Sequence, residues 1–304
     1  MWFGARAFWI VAVPVLLAGC GGASGSTDAE HRAVAAFFPL QWATEQVAGP
    51  DWEVTGLTEP GAEPHDLELG IAQTAALDQA DVVVFEHDFQ PAVDEAIANV
   101  ATGIEVDAAE VVHLHEAGDG EHTDELDDGH EHGDHDPHFW LDPLLMADLV
   151  DSVADALSEA DPAGATTYAA NAADVRSDLE VLDTAYARGL AGCERPTMVV
   201  THEAFGYLER YGLQFEAIVG LSPDAEPTPA AIARLQELIA DHGITTVFSE
   251  RLASTAMADA LAADTGVTTG VLDPIEGPAE GEAGSDYLAL MEQNLVALQE
   301  AGGC

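Results

Sequence analysis

Residues 161–190 read DPAGATTYAANAADVRSDLEVLDTAYARGL. The apolar members Tyr168, Ala172, Val175, Leu179, Leu182, Tyr186 and Leu190 recur at spacings of three and four, which lays a single stripe along an α-helix. Asp161 followed by Pro162 supplies an N-cap carboxylate and a proline at the first helical position, and the helix runs toward Gly189. No glycine or proline interrupts it between Ala165 and Arg188, so the spacing predicts a stiff rod of about seven turns. A second pair, Asp142-Pro143, opens another helix just upstream. A rod in the middle of a chain reads as a strut between two lobes, and its continuity predicts a small relative motion.

On both sides of the strut, strand and helix signals alternate, which argues for parallel sheets flanked by helices. The first half offers strands at 33–38, 53–57, 82–85 and 104–106, with a helix from Ala92 to Val100 among those between them. The second half offers 197–201, 215–219, 245–248 and 268–272, with Thr228-Pro229 starting an intervening helix and His242-Gly243 stopping it. The expected fold is therefore α/β: two lobes, each a roughly four-stranded parallel sheet flanked by helices, bridged by one long helix. The boundaries fall at 31–141 for the first lobe, 142–192 for the interlobe helices and 193–304 for the second lobe. Trp42, Trp52 and Trp140 are expected to pack within the first lobe.

The chain has 304 residues with 8 basic and 56 acidic side chains, a formal net charge of -48, and all its basic residues are arginines. Such a surface repels phosphate backbones, which excludes nucleic acid as a partner. Hydrophobic content of 48% and 15 prolines argue against a disordered acidic chain. Near the start, Arg6 precedes an apolar run from Ala7 to Ala18, too short to cross a hydrocarbon core about 30 Å thick. The run ends in Leu17-Ala18-Gly19-Cys20, a pattern that resembles a bacterial lipobox. Residues 1–19 are read as a signal peptide, Cys20 as the lipid anchor on the outer face of the membrane, and 20–30 as a flexible tether; an ordinary signal peptide with a chance cysteine is the alternative. Cys193 and Cys304 remain, an even number in an oxidising compartment. A bridge between them would close a loop of about 110 residues; two separate thiols are the alternative.

From 113 to 135 the chain becomes a different material. His113, His115, His122, His130, His132 and His135 stand amid Asp, Glu and Gly with almost no apolar residue, so the segment is expected to be a mobile loop offering weak metal ligands. Outside it, His65, His138 and His202 sit where α/β proteins place their ligands, beyond the carboxyl ends of strands. Glu250 and Asp273 occupy equivalent strand ends in the second half. Three imidazoles and one carboxylate suit a closed four-coordinate zinc site, whereas an all-oxygen set would suit magnesium or calcium.

The residues around these positions are Gly61-Ala62-Glu63-Pro64-His65-Asp66-Leu67-Glu68, Phe89-Gln90-Pro91-Ala92-Val93, Asp136-Pro137-His138-Phe139-Trp140-Leu141-Asp142-Pro143, Thr201 to Leu208, Phe248-Ser249-Glu250 and Leu272-Asp273-Pro274. Over roughly residues 31 to 300 the chain resembles the metal-binding lipoproteins of ABC importers, of the ZnuA/TroA type. The resemblance implies His65, His138 and His202 as metal ligands in an interlobe cleft, with an acid or water as the fourth. Asp273 is the expected fourth ligand and Glu250 the cleft-lining alternative. It also implies zinc over manganese or iron(II), because the manganese branch carries Glu at the position of His202. The partners it implies are an ABC permease with its ATPase, acting on a monomeric receptor that is not an enzyme. This sequence departs from the pattern at Glu86-His87, where a glycine-rich turn is usual, and His87 is a further candidate for the cleft.

A zinc hydrolase using Glu250 or Glu203 as general base is the competing chemistry. No His-Glu-x-x-His helix supports it, and four available ligands leave no open coordination position.

Overall fold

A computed structural model describes residues 1–2, 31–116, 135–282, 284 and 286–304. The expectations for Cys20 and for His122, His130 and His132 lie outside those residues.

The first lobe runs β1 (His31–Ala35), α1 (Phe38–Ala48), β2 (Trp52–Gly56), α2 (Ile71–Gln79), β3 (Val82–Phe85), α3 (Pro91–Val100), β4 (Ile104–Asp107) and α4 (Ala108–Val111). Two short strands, β5 (His115–Glu116) and β6 (His135–Asp136), pair antiparallel. A 3-10 turn (Phe139–Leu141) then leads into α5 (Pro143–Ala160) and α6 (Ala165–Gly189). The second lobe runs β7 (Thr197–Val200), a 3-10 turn (Gly206–Tyr211), β8 (Gln214–Ala217), α7 (Pro229–His242), β9 (Thr246–Ser249), α8 (Ala256–Thr265), β10 (Thr268–Val271) and α9 (Tyr287–Gly302).

Both four-stranded sheets are parallel throughout, ordered β2-β1-β3-β4 and β10-β9-β7-β8. Each is wound alike: the second strand lies on one side of the first, and the third returns to the other side. That reversal opens a crevice beyond the carboxyl ends of the strands, between β1 and β3 in one lobe and between β7 and β9 in the other. Buried central strands read as continuous apolar runs, and Val82-Val83-Val84-Phe85 and Thr197-Met198-Val199-Val200 are buried along their whole length.

The strut has the expected stripe: Tyr168, Ala172, Val175, Leu179, Leu182 and Tyr186 are the buried residues of α6. Its start differs from expectation. Regular helix begins at Ala165 because the Asp161 carboxylate is taken up by a turn, accepting from Ala163 N at 3.0 Å, Gly164 N at 3.1 Å and the Tyr168 hydroxyl at 2.6 Å. The first strand is also shorter than expected; it ends at Ala35, and Phe38 already belongs to α1, where Pro39 favours helix.

All three tryptophans do more than fill the first lobe. The Trp42 indole donates to Asp286 Oδ1 at 3.2 Å and its ring lies 4.7 Å from that of Tyr287 in α9. Trp140 donates to the Pro274 carbonyl at 2.7 Å. Trp52 donates to the Tyr168 hydroxyl at 2.8 Å and so reaches the strut. α9 thus lies back along α6, where the Tyr186 hydroxyl donates to the Met291 carbonyl at 2.7 Å. The main hydrophobic core consequently runs without a break from Phe37 and Trp140 through Leu179 to Tyr287 and Val200, and a smaller one around Leu235 and Val247 covers the outer face of the second sheet.

Cys193 and Cys304 form a disulfide with Cα atoms 4.3 Å apart, across 111 residues of chain, and so tie the end of α9 to the second lobe. Closing a loop of that size stabilises the fold by about 4–5 kcal/mol in the chain-entropy model. Cys193→Ser with Cys304→Ser is expected to lower the unfolding free energy by about that amount, read from denaturant titrations of the variant and the parent chain. An equal stability in both would rule the contribution out.

Candidate metal centre

The loop after β2 delivers His65. Gln90 donates to the Pro64 carbonyl at 2.9 Å and the Phe89 ring packs edge-on against the imidazole at 4.7 Å, which fixes its direction. His138 enters from the segment after β6. The Asp136 Oδ1 atom accepts from the backbone N–H of His138 at 3.0 Å and lies 2.7 Å from its Nδ1. His202 follows β7 and repeats the device with another acid: Glu250 Oε1 accepts from its backbone N–H at 3.1 Å and lies 2.7 Å from its Nδ1. A carboxylate on Nδ1 fixes the tautomer and leaves the Nε2 lone pair for an ion.

Those Nε2 atoms converge on one carboxylate, and it is not Asp273. Glu276 Oε1 lies 3.1 Å from His65 Nε2, 3.3 Å from His138 Nε2 and 3.4 Å from His202 Nε2. The His138 and His202 Nε2 atoms are 3.3 Å apart. A tetrahedron with zinc–nitrogen bonds of about 2.0–2.1 Å has edges of about 3.3 Å, which these four separations match, and all four donor atoms lie within 4.8 Å of one another. Four donors from both lobes, all buried or nearly so, form a closed site.

Asp273 has a different task. Its Oδ1 accepts from Ile275 N at 2.8 Å, and Arg251 Nε lies 3.5 Å from its other oxygen. This turn carries Ile275 at φ +61°, a costly conformation for a β-branched residue, and Trp140 holds the intervening Pro274 carbonyl. The strained turn directs Glu276 into the cleft. Glu250 stands behind His202 as its hydrogen-bond partner, and His87 is half-exposed beside Asp88 and Asp94, apart from the four donors. Sequence reasoning missed Glu276, since a strand-end rule selects the first acid after β10. A weak signal was present: an aspartate two residues ahead of a backbone N–H is a turn former, which leaves the next acid, just before Gly277-Pro278, as the free ligand.

The electrostatics suit a cation. Burial opposes charge on His202, but Glu250 and Glu276 outweigh it and push the imidazole up to about 10. Burial likewise opposes charge on His138, yet Asp136 and Glu276 hold it above its ordinary range. Burial keeps His65 below that range. Although burial would raise Glu276, the three imidazoles hold its carboxyl well below the usual carboxylate range. Burial and the Glu276 charge push Glu63, behind His65, up to about 8. The carboxylates of Asp136, Glu250 and Glu276 thus favour positive charge where the three imidazoles meet.

The profile of the family described as "Zinc-uptake complex component A periplasmic" matches residues 33–301. The chain belongs to that family. The zinc-binding lipoprotein AdcA of Streptococcus pneumoniae is 36% identical over 284 residues, covering 90% of this chain and 56% of AdcA. The chain thus spans little more than half the length of that relative. The high-affinity zinc uptake system protein ZnuA of Bacillus subtilis is 32% identical over 306 residues, covering 97% of this chain and 96% of its own. Among solved structures, the Zn(II)-bound ZnuA-like domain of Streptococcus pneumoniae AdcA superposes with a TM-score of 0.74 at 34% identity, covering 90% of this chain and 99% of that domain.

The flanks of the histidine-rich segment are held in this family member. Tyr207 donates to the Asp136 carbonyl at 2.8 Å and accepts from His115 N at 2.9 Å, while the His115 ring stacks on the Tyr207 ring at 4.1 Å. Among the described residues no helix is long and apolar enough to cross a membrane.

Proposed function

We propose that this protein is an extracytoplasmic receptor that captures Zn²⁺ in the interlobe cleft through His65, His138, His202 and Glu276 and delivers it to an ABC permease. The observation that carries the reading is the convergence of three imidazole Nε2 atoms on Glu276 Oε1 at 3.1–3.4 Å. Imidazole-rich sets favour zinc over manganese in the Irving–Williams order, and manganese prefers more oxygen and more ligands. The zinc uptake named for the Bacillus subtilis and Streptococcus pneumoniae relatives supports the same cargo.

Receptor rather than enzyme is the chemistry we infer. A catalytic zinc keeps an open position for water beside a general base, whereas four protein donors fill a tetrahedron. Glu250, one of the two bases a hydrolase could use, is committed to His202. The membrane attachment belongs to the same proposal: Cys20 is the lipidated residue, and residues 20–30 give the receptor reach to its permease.

Competition titration of Zn²⁺ against Mn²⁺ tests the cargo. Zinc is expected to win by at least about a hundredfold, with one tight ion per chain. A preference for manganese would overturn the assignment.

A further inference from the structure

Beside the metal centre lies a cavity of about 430 Å³, and His65 forms part of its wall. At its base stands Glu86, directly after β3. This residue is 3% exposed, and neither carboxylate oxygen meets a hydrogen-bond partner among the described residues. A buried carboxylate in that condition is strongly disfavoured in its ionised form, so it is either protonated or matched by a cation. Arginine offers no relief, since the cavity lining contains none; it contains Asp107, Glu110, His87, His113 and His135 instead. Burial, then the charges of Asp136, Asp107 and Asp94, push the Glu86 carboxyl well up.

We propose that this cavity is a second, weaker divalent-cation site, held by the Glu86 carboxylate with imidazole and carboxylate donors of the surrounding loops. The donor chemistry is oxygen-rich with imidazoles available, which accepts a divalent ion less selectively than the N₃O centre does. Its position gives it a use. The cavity reaches from the flanks of the histidine-rich segment at His113 and His135 to His65, so an ion held at Glu86 waits one ligand away from the tight centre.

The test is zinc binding to the full chain by equilibrium dialysis across a range of free Zn²⁺, together with zinc anomalous scattering from zinc-saturated crystals. Glu86→Gln and Glu86→Leu are compared with the parent, and Glu276→Gln serves to separate the two centres. Both Glu86 variants remove a buried carboxyl that has no hydrogen-bond partner among the described residues, and thermal unfolding without metal confirms that they fold. The expected result is anomalous density at Glu86 in the parent, one fewer weakly bound zinc in each Glu86 variant with the tight ion retained, and the reverse in Glu276→Gln. Unchanged weak uptake in the Glu86 variants, or zinc-saturated crystals without density at Glu86, would overturn the proposal. Loss of tight zinc from the parent itself would instead sink the receptor reading while leaving the Glu86 comparison readable.

Discussion

Glu276→Ala is expected to weaken zinc binding by about 10²–10³-fold, while Asp273→Asn leaves it within about tenfold. Closed protein zinc sites bind with about 10–16 kcal/mol, so one ligand of four carries about 2.5–4 kcal/mol, and each 1.4 kcal/mol is about tenfold. Glu276 is the one carboxylate within 3.1–3.4 Å of all three Nε2 atoms among the described residues. Asparagine at 273 retains an oxygen to accept from Ile275 N, so the turn that aims Glu276 survives. Calorimetric titration of both variants under chelator-buffered zinc decides the matter. A large loss in Asp273→Asn with little in Glu276→Ala would return the fourth ligand to the residue that the strand-end rule selects.

Zinc affinity is expected to rise steeply with pH across the neutral range. The His202 imidazole, opposed by burial but pushed up to about 10 by Glu250 and Glu276, keeps its proton in the metal-free fold. Zinc needs a neutral Nε2, so loading must eject that proton, and affinity climbs about tenfold per pH unit per proton released. The gain continues until pH passes about 10, above which the imidazole is already neutral, and then levels. Metal-free stability moves the opposite way. A group whose pKa is raised in the fold stabilises it fully below about 6.5 and ceases to do so as pH climbs through the folded value. Calorimetry at pH 8 in buffers of contrasting ionisation enthalpy should therefore return at least one proton released per zinc, and metal-free chain should melt lower at pH 9 than at pH 7. Zinc binding with no proton release would contradict this account.

Much of this molecule was legible residue by residue. The strand signals at 53–57, 82–85, 104–106, 197–201 and 268–272 correspond within a residue or so to β2, β3, β4, β7 and β10, because short runs rich in β-branched residues and bounded by turn formers favour the extended backbone locally. The strut was readable for a similar reason: its stripe is a local periodicity, and α6 buries those same side chains. His65 and His202 were legible as well, since they follow β2 and β7 and the carboxyl end of a parallel strand is where the winding opens a crevice, whereas His138 follows β6 of the antiparallel pair, which that rule does not reach.

What periodicity does not encode is the path of an irregular loop. The choice between Asp273 and Glu276 depends on which carboxylate a turn consumes, and that turn exists because Trp140 from the other side of the cleft holds the Pro274 carbonyl. Asp136 meets His138 from only two positions away, whereas the pairing of Glu250 with His202 depends likewise on neighbours brought together across 48 positions. The same holds for Trp42 and α9, which join lobes that alternation alone describes as separate. Sequence by itself determined the two parallel sheets, the strut and the imidazole donors, because each is set by short-range pattern. The fourth donor of the cluster, the Glu250 carboxylate behind His202, the continuous core and the buried Glu86 were decided only by tertiary structure, since long-range packing chooses which polar groups are satisfied and which face the cleft.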